Sequence, residues 1–334
     1  MRKPVLLVCA ALVCGFLSAC GALAPAQEGL WEELGLSPDQ AVASADDREI
    51  SAGLYLYWLT EITDGIRAYY SAQGQEADWS AEVEEGLTLE RYAKERALES
   101  AAVYATVENW AQRYDCTLTE ADRAEAAQAW AETAAEQGGE DAYLAALAQK
   151  GLDEAGGRRM AEDHILYQKL CALAMEEGSG LWEEAADLAE FYTQRGYVTV
   201  DLVEVPADGA EEAAALFGRI NESTDPVAEL AAIRQERGQS GWPRTLLPGD
   251  GSLPDAYAQA AAALSPSQIS GVVEGPEGFA ILGRLEDDPE AVRLELMDQR
   301  LLESARSARM EVSQSYQELD VEALCAALEE IRKP

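Results

Sequence analysis

The chain has 334 residues, 48% of them hydrophobic, and carries 25 Lys and Arg against 62 Asp and Glu, a formal charge of −37 at neutral pH. Charge of that sign repels phosphate backbones and anionic headgroups, so nucleic acid is excluded as a partner and neutral or basic partners are expected. A single histidine, His164, excludes any chemistry that needs two imidazoles in one subunit, so neither a multi-histidine metal site nor another cofactor is expected.

Residues 1–20 open with Arg2 and Lys3, run apolar from Val5 to Leu17 and close on Ser18, Ala19 and Cys20. That is the pattern of a secretory signal, too short to span a bilayer stably. Leu17, Ser18, Ala19 and Cys20, followed by Gly21, resemble the lipobox of bacterial lipoproteins. The resemblance implies loss of residues 1–19, diacylation of Cys20 and attachment to the extracytoplasmic face of a bacterial cell membrane; two acyl chains anchor stably where one is marginal. Of six cysteines, Cys9 and Cys14 would leave with the signal and Cys20 would be acylated. Cys116, Cys171 and Cys325 remain, an odd number without ligand spacing. A complete disulfide framework is therefore excluded, one bridge between two of them stays open, and small buried hydrophobes are the plainer reading.

Residues 20–40 mix Gly, Pro, Ala and acidic residues without a period and read as a tether, with Trp31, Leu34 and Leu36 able to dock on the folded body. Residues 41–50 read as a short extended lead-in. Leu54, Tyr55, Trp58, Leu59, Ile62, Ile66 and Tyr69 recur at three and four, which predicts a helix over 52–70, and a longer one follows over 79–114. Thr119, with Glu120 and Asp122 in the first turn, predicts an N-cap and a helix to Glu136, stopped by Gly138 and Gly139. Further helices are expected over 139–151, 158–175 and 182–195, the last closed by Gly196.

The texture changes at Tyr197. The run Val198 to Val205 is rich in β-branched residues and stops at Pro206, which predicts a strand. Helices over 210–220 and 226–237, a Gly/Pro-rich loop over 238–254 and a helix over 254–264 precede two strands, 269–273 and 279–285, joined by a turn. Helical patterns return over 288–313 and 321–331. The fold class expected is α+β. A helical domain over 41–196 is interrupted by a β-containing domain over 197–287, and the C-terminal helices, 288–334, pack back on the helical domain to hide their apolar stripes.

The succession from Thr119 to Leu170, with the Gly138–Gly139 pair, Tyr143 to Leu147, Gly151, Arg158 and Arg159, resembles the N-terminal domain of SurA-type and PrsA-type chaperone foldases, as does the lead-in Asp46 to Ala52. Tyr197 to Leu285 is similar to a parvulin-type (PpiC-like) peptidyl-prolyl isomerase domain, most clearly over Leu253 to Leu282. By that resemblance the first strand would carry a histidine before an aliphatic pair, where Asp201 precedes Leu202 and Val203. The last strand would carry another after a Gly-aromatic pair, where Ala280 follows Gly278 and Phe279. A methionine and two phenylalanines would form the proline pocket, and Leu253, Tyr257 and Ala262 stand at the matching positions. The resemblance thus marks Asp201 and Ala280 as degenerate catalytic positions and Leu253, Tyr257, Ala262 and Phe279 as binding positions.

Two functions follow as expectations. The first is a lipid-anchored extracytoplasmic chaperone that holds unfolded or newly secreted polypeptides in a crevice between its domains, with weak or no isomerase activity; aromatics such as Trp58, Tyr69, Tyr92 and Trp110 suit it, although most of these should be core. The second is an active prolyl isomerase with a non-standard catalytic set in which Asp201 keeps part of the hydrogen-bond frame. Against the second, an acidic residue on a strand is more often solvated or salt-bridged. His164 shares a stripe with Met160, Tyr167 and Cys171 and reads as a helix-packing residue. A solute-binding lipoprotein would need two α/β lobes, which the helical N-terminal half excludes.

Overall fold

The computed structural model describes residues 27–333; the signal and Cys20 lie outside the described residues. In chain order the elements are α1 (Gln27–Leu34), β1 (Ala41–Ala45), β2 (Arg48–Ser51), α2 (Ala52–Ser71), β3 (Glu82–Glu84), β4 (Leu87–Thr88), α3 (Leu89–Arg113), α4 (Glu120–Glu136), α5 (Glu140–Ala148) and α6 (Glu154–Ala174). They continue with α7 (Gly180–Glu183), α8 (Leu188–Arg195), β5 (Val198–Pro206), α9 (Ala210–Asn221), α10 (Pro226–Glu236), β6 (Arg244–Leu246), α11 (Asp255–Ala263), β7 (Val273–Gly275) and β8 (Gly278–Arg284). After a 3-10 turn at Pro289–Val292 come α12 (Arg293–Ser307), β9 (Met310–Val312), α13 (Gln314–Glu318) and α14 (Val321–Ile331). The fold is α+β, and no described helix is long and apolar enough to cross a membrane.

Two compact units divide the chain, one running to Glu176 and resuming at Asp298, the other Glu177–Met297. The first is discontinuous because its core is. Ile50, Tyr55, Leu56 and Leu59 pack with Ala97, Leu98 and Ala101 of α3 and with Val321, Leu324 and Leu328 of α14. Strand β9 pairs antiparallel with β1 in a three-stranded sheet, β2-β1-β9. Lys94, buried on α3, donates to the carbonyls of Gln317 at 3.2 Å and Leu319 at 2.7 Å. Arg332 donates to both carboxylate oxygens of Asp64, at 2.9 and 2.8 Å.

Several local expectations are corrected here. The lead-in is a β-hairpin, turned by Asp46 and Asp47 at φ 48° and 69°, the left-handed pair a tight two-residue turn requires. The helix expected from residue 79 begins at Leu89, because Gly86 (φ 75°) turns β3 into β4 and Thr88 caps α3 by accepting from the Arg91 amide. Within the supposed tether Gln27–Leu34 form a helix, while Trp31, as expected, docks into the core together with Leu30. The helix expected to Ser313 stops at Ser307, because β9 leaves it to pair with β1.

The second unit is an antiparallel sheet of order β6-β5-β8-β7 with helices on both faces. Val198, Val200 and Leu202 of β5 pack with Leu282 of β8 and with α11. Val203 and Val205 pack with Ile281 and, from α9 and α10, with Ala213, Ile220, Leu230 and Ile233. A strand covered on both sides reads as a near-continuous apolar run, which is why β5 was legible. Helices α7 and α8 belong to this unit: Phe191 and Tyr192 pack on Tyr197, and the Tyr192 and Thr199 hydroxyls lie 2.9 Å apart. The unit therefore begins about a helical pair earlier than the Tyr197 boundary expected from texture.

Candidate functional site

Successive side chains of a strand point to opposite faces, so register decides which groups meet. In the β5–β8 ladder Asp201 pairs with Gly283, Glu204 with Ala280 and Val205 with Phe279. Ala280 is buried on the α11 face, in one apolar cluster with Leu253 and Tyr257. Asp201 alternates with Leu202 and lies on the other face, where Arg234 of α10 reaches it, Nε to Oδ1 2.7 Å, with both residues buried. The Leu202 amide donates to the same Asp201 oxygen at 2.8 Å. Burial pushes the Asp201 carboxyl above its ordinary range, against the pull of Arg234 and of that amide. Asp201 is thus half of an internal ion pair, and the salt-bridged reading of it is the one the structure supports.

The matched positions therefore do not converge on one surface. Leu253, Tyr257 and Ala280 share the α11 face. Phe279 sits with the α9–α10 cluster on the opposite face, one residue out of phase with Ala280. Ala262 is exposed, whereas Ala261 is buried in the α11 cluster. At ~100° per residue, Ala261 returns to the face of Tyr257 and Ala262 overshoots it. Ala261, with Ala258, takes the place in the cluster that was assigned to Ala262. The polar residue in register with Ala280 is Glu204, exposed at the end of β5, which sequence matching passed over. Strict alternation from Leu202 was the signal for it: Leu202 and Glu204 share a face and Asp201 does not.

Tyr257 shapes what this face offers. Its hydroxyl donates to the Gly278 carbonyl at 3.3 Å, and its ring lies so close over Gly275 that a Cβ there would stand 2.6 Å from ring carbons. Gly278 (φ 148°) is equally constrained, since its Cβ would stand 2.2 Å from the Val205 carbonyl oxygen. The ring thus covers the β7–β8 turn, and burial, with Glu204 and Glu277 nearby, raises the Tyr257 hydroxyl's pKa. Beyond the β6 pairing, Gln239 closes the edge of β5 at Glu204: its side-chain oxygen accepts from the Glu204 amide at 3.1 Å and its nitrogen donates to the Glu204 carbonyl at 2.7 Å.

Twisting an X–Pro amide needs an apolar seat for the ring and polar groups that favour the twisted state over the planar one. At position 280 stands a methyl group, which neither donates nor accepts. His164 lies elsewhere, on α6 in the first unit, its Nε2 3.0 Å from the Gln168 side-chain nitrogen, beside an apolar space lined by Val103, Val107, Tyr167 and Leu301. Of the four aromatics singled out, Trp110 is buried and Trp58 packs on the core, while Tyr69 and Tyr92 are exposed. Cys116, Cys171 and Cys325 are free thiols, and no cluster among the described residues has the composition of a metal site.

Residues 184–292 match the PPIC-type PPIase domain family. No curated protein sequence is similar enough to the chain to match. Similar solved structures include the foldase protein PrsA of Lactococcus lactis, 11% identical, covering 88% of this chain and 100% of its own at a TM-score of 0.30. PrsA of Bacillus subtilis is 16% identical, covering 73% of this chain and 87% of its own, with a TM-score of 0.24. A structure described with two SurA-like chaperones of Campylobacter jejuni, PEB4 and Cj1289, is 12% identical, covering 82% and 99% with a TM-score of 0.22.

Proposed function

We propose that this chain, which carries a PPIC-type parvulin domain over residues 184–292, is an extracytoplasmic chaperone that holds unfolded or newly secreted polypeptides and has weak or no prolyl isomerase activity. The observation that carries the proposal is the α11 face of the sheet: the parvulin scaffold is kept, while the buried Ala280 methyl and the buried Tyr257 ring stand where catalysis would need a polar frame and an open seat. Support for a holding role comes from the strong negative charge, which attracts basic unfolded chains and keeps a client-loaded protein soluble, and from Tyr69 and Tyr92, exposed on α2 and α3. The Leu17–Cys20 motif supports a lipid anchor at Cys20 and hence a place on the outer side of a bacterial membrane.

The test uses the chain from Gly21 onward, without acylation. It should suppress aggregation of a basic unfolded client, and the suppression should weaken as salt screens the charge. In the same preparation an X–Pro peptide should isomerise near its uncatalysed rate. Absence of suppression would sink the proposal. A second reading, an isomerase with an altered catalytic set, is favoured by one observation, the placement of Glu204 in register with Ala280. Measurable isomerisation abolished by Glu204→Gln would establish it.

A further inference from the structure

Two carboxyl groups meet inside the first unit, where α3 packs on α6. Asp163 of α6 is 5% exposed and is hydrogen-bonded to Glu108 of α3, whose side chain is 13% exposed. A hydrogen bond between two carboxyls needs a proton on one of them, because two carboxylates can only accept. The proton rests on Asp163, since Glu108 is the one engaged by cations. Arg159 donates twice to Glu108 Oε1, at 2.9 and 2.6 Å, and Arg48 of β2 brings its Nε to 3.3 Å from Glu108 Oε2. Desolvation and the Glu108 charge push the Asp163 carboxyl up to about 8.

Asp163 also stands between two spaces. On one side is an open groove that it shares with Glu108, Arg48, Arg159 and half-buried Glu162. The same groove carries exposed Arg123 of α4 and Arg158 of α6, the latter paired with Glu154 at 2.7 Å and Glu140 at 3.3 Å. On the other side is an apolar space of ≈ 40 Å³ between α3, α6 and α12, lined by Val103, Tyr104, Val107, His164, Tyr167 and Leu301. The carboxylate that α12 brings, Asp298, accepts from the Tyr167 hydroxyl at 2.6 Å. At about 10–15 Å³ for each water the space holds three at most, too few to hydrate an ion beside it.

We propose that the Asp163–Glu108 pair is a proton-operated latch: with its proton it clamps α6 to α3, and without it α6 draws away, opening the apolar space to aliphatic and aromatic side chains of an unfolded polypeptide. The proposal rests on the holding function proposed above and gives that function a regulation. Its direction follows from the charges. With the proton in place, two guanidiniums face one negative charge. Loss of the proton buries a second negative charge beside the first, Arg48 and Arg159 are already engaged by Glu108, and water reaches the new carboxylate only if the helices part. Val103 and Val107 lie on α3, Tyr167 on α6 and Leu301 on α12, so one movement of α6 uncovers all of them. Holding should therefore strengthen as the solution turns alkaline.

The experiment titrates the chain from Gly21 onward between pH 7.0 and 9.5 with Nile red, an uncharged dye that fluoresces on apolar surface, and follows helix content by far-ultraviolet circular dichroism. Parent emission should rise at least threefold along a one-proton curve while the helical signal holds. Asp163→Asn, which keeps His164 and every other titrating group, should stay flat. Glu108→Gln should stay flat as well, because it leaves the Asp163 carboxylate to Arg48 and Arg159. Flat parent emission, an equal rise in Asp163→Asn, or loss of the helical signal together with the rise would each overturn the latch. Aggregation suppression of a basic client is measured alongside at pH 7.0 and 9.0, and the parent should exceed Asp163→Asn at the higher pH only. If suppression persists while emission stays flat, the latch alone is wrong; if emission follows Asp163 while suppression is absent at both pH values, the latch stands and the chaperone reading falls.

Discussion

At the scale of single residues, burial and pairing separate what is structural from what is available for function. Asp201 stands before an aliphatic pair on the first strand of the sheet, the position that family resemblance marks as catalytic, yet its side chain is spent on Arg234. Removing one partner of a buried pair leaves an uncompensated charge and costs about 3–5 kcal/mol, whereas replacing both with apolar groups is often neutral. Asp201→Ala should lower the unfolding free energy of the second unit by that order in a urea titration, and Asp201→Leu combined with Arg234→Met should recover most of the loss. Asp163 carries a pH signature. With a folded pKa raised to about 8 from the ordinary 3.8, its favourable contribution is full below the ordinary value and is lost as pH rises through 8, because the folded state binds the proton that the unfolded state has released. Between pH 5 and 8.5 the parent should therefore lose about 4 kcal/mol more stability than Asp163→Asn, which keeps a neutral hydrogen-bonding group in place. Urea midpoints at the two pH values measure the difference.

Elements convert those residues into faces. Helix α11 presents Tyr257, Ala258 and Ala261 to the sheet, and the two alanines, with Ala280 of β8 opposite, let the helix lie close while one ring does the filling. Gly275 is the counterpart of that ring. Gly275→Ala should destabilise the unit by about 1–3 kcal/mol through overpacking. In a Tyr257→Leu background the same change should cost markedly less, a coupling that a double-mutant cycle in urea reads directly. Edge treatment belongs to this scale too. Short β6 covers only Val198 to Val200 of β5, and the Gln239 side chain serves as a substitute strand at Glu204, so the exposed end of β5 is not left as a template for another chain.

At the scale of the whole molecule, chain order and unit membership part company. The first unit is finished by residues that follow the second, since β9 completes the sheet begun by β1, and Leu319 with Val321, Leu324, Cys325, Ala327 and Leu328 of α14 joins a core otherwise built before residue 106. A chain ending at Ser307 should therefore lose the cooperative unfolding transition of the first unit and its resistance to limited proteolysis. The second unit should keep both, because none of its core residues is removed. Retained protease resistance across residues 41–113 in that truncation would contradict this account of the core.

What the sequence alone determined follows from local rules. Three-and-four spacing made α2 and α6 readable, the Thr119 cap placed the start of α4, the run from Val198 to Val205 announced a strand, and the signal-like first twenty residues and the charge are properties of composition. Only the tertiary structure decided the rest. The register between β5 and β8 put Glu204, and not Asp201, beside Ala280; a helical phase put Ala261, and not Ala262, inside; and β6 and β9, three residues each, became strands because partners far away in the chain accept their hydrogen bonds. A match of residue types along one strand carries no information about which face each side chain takes. That is fixed by the pairing of two strands and by the helix that covers them, which are contacts between segments remote in sequence.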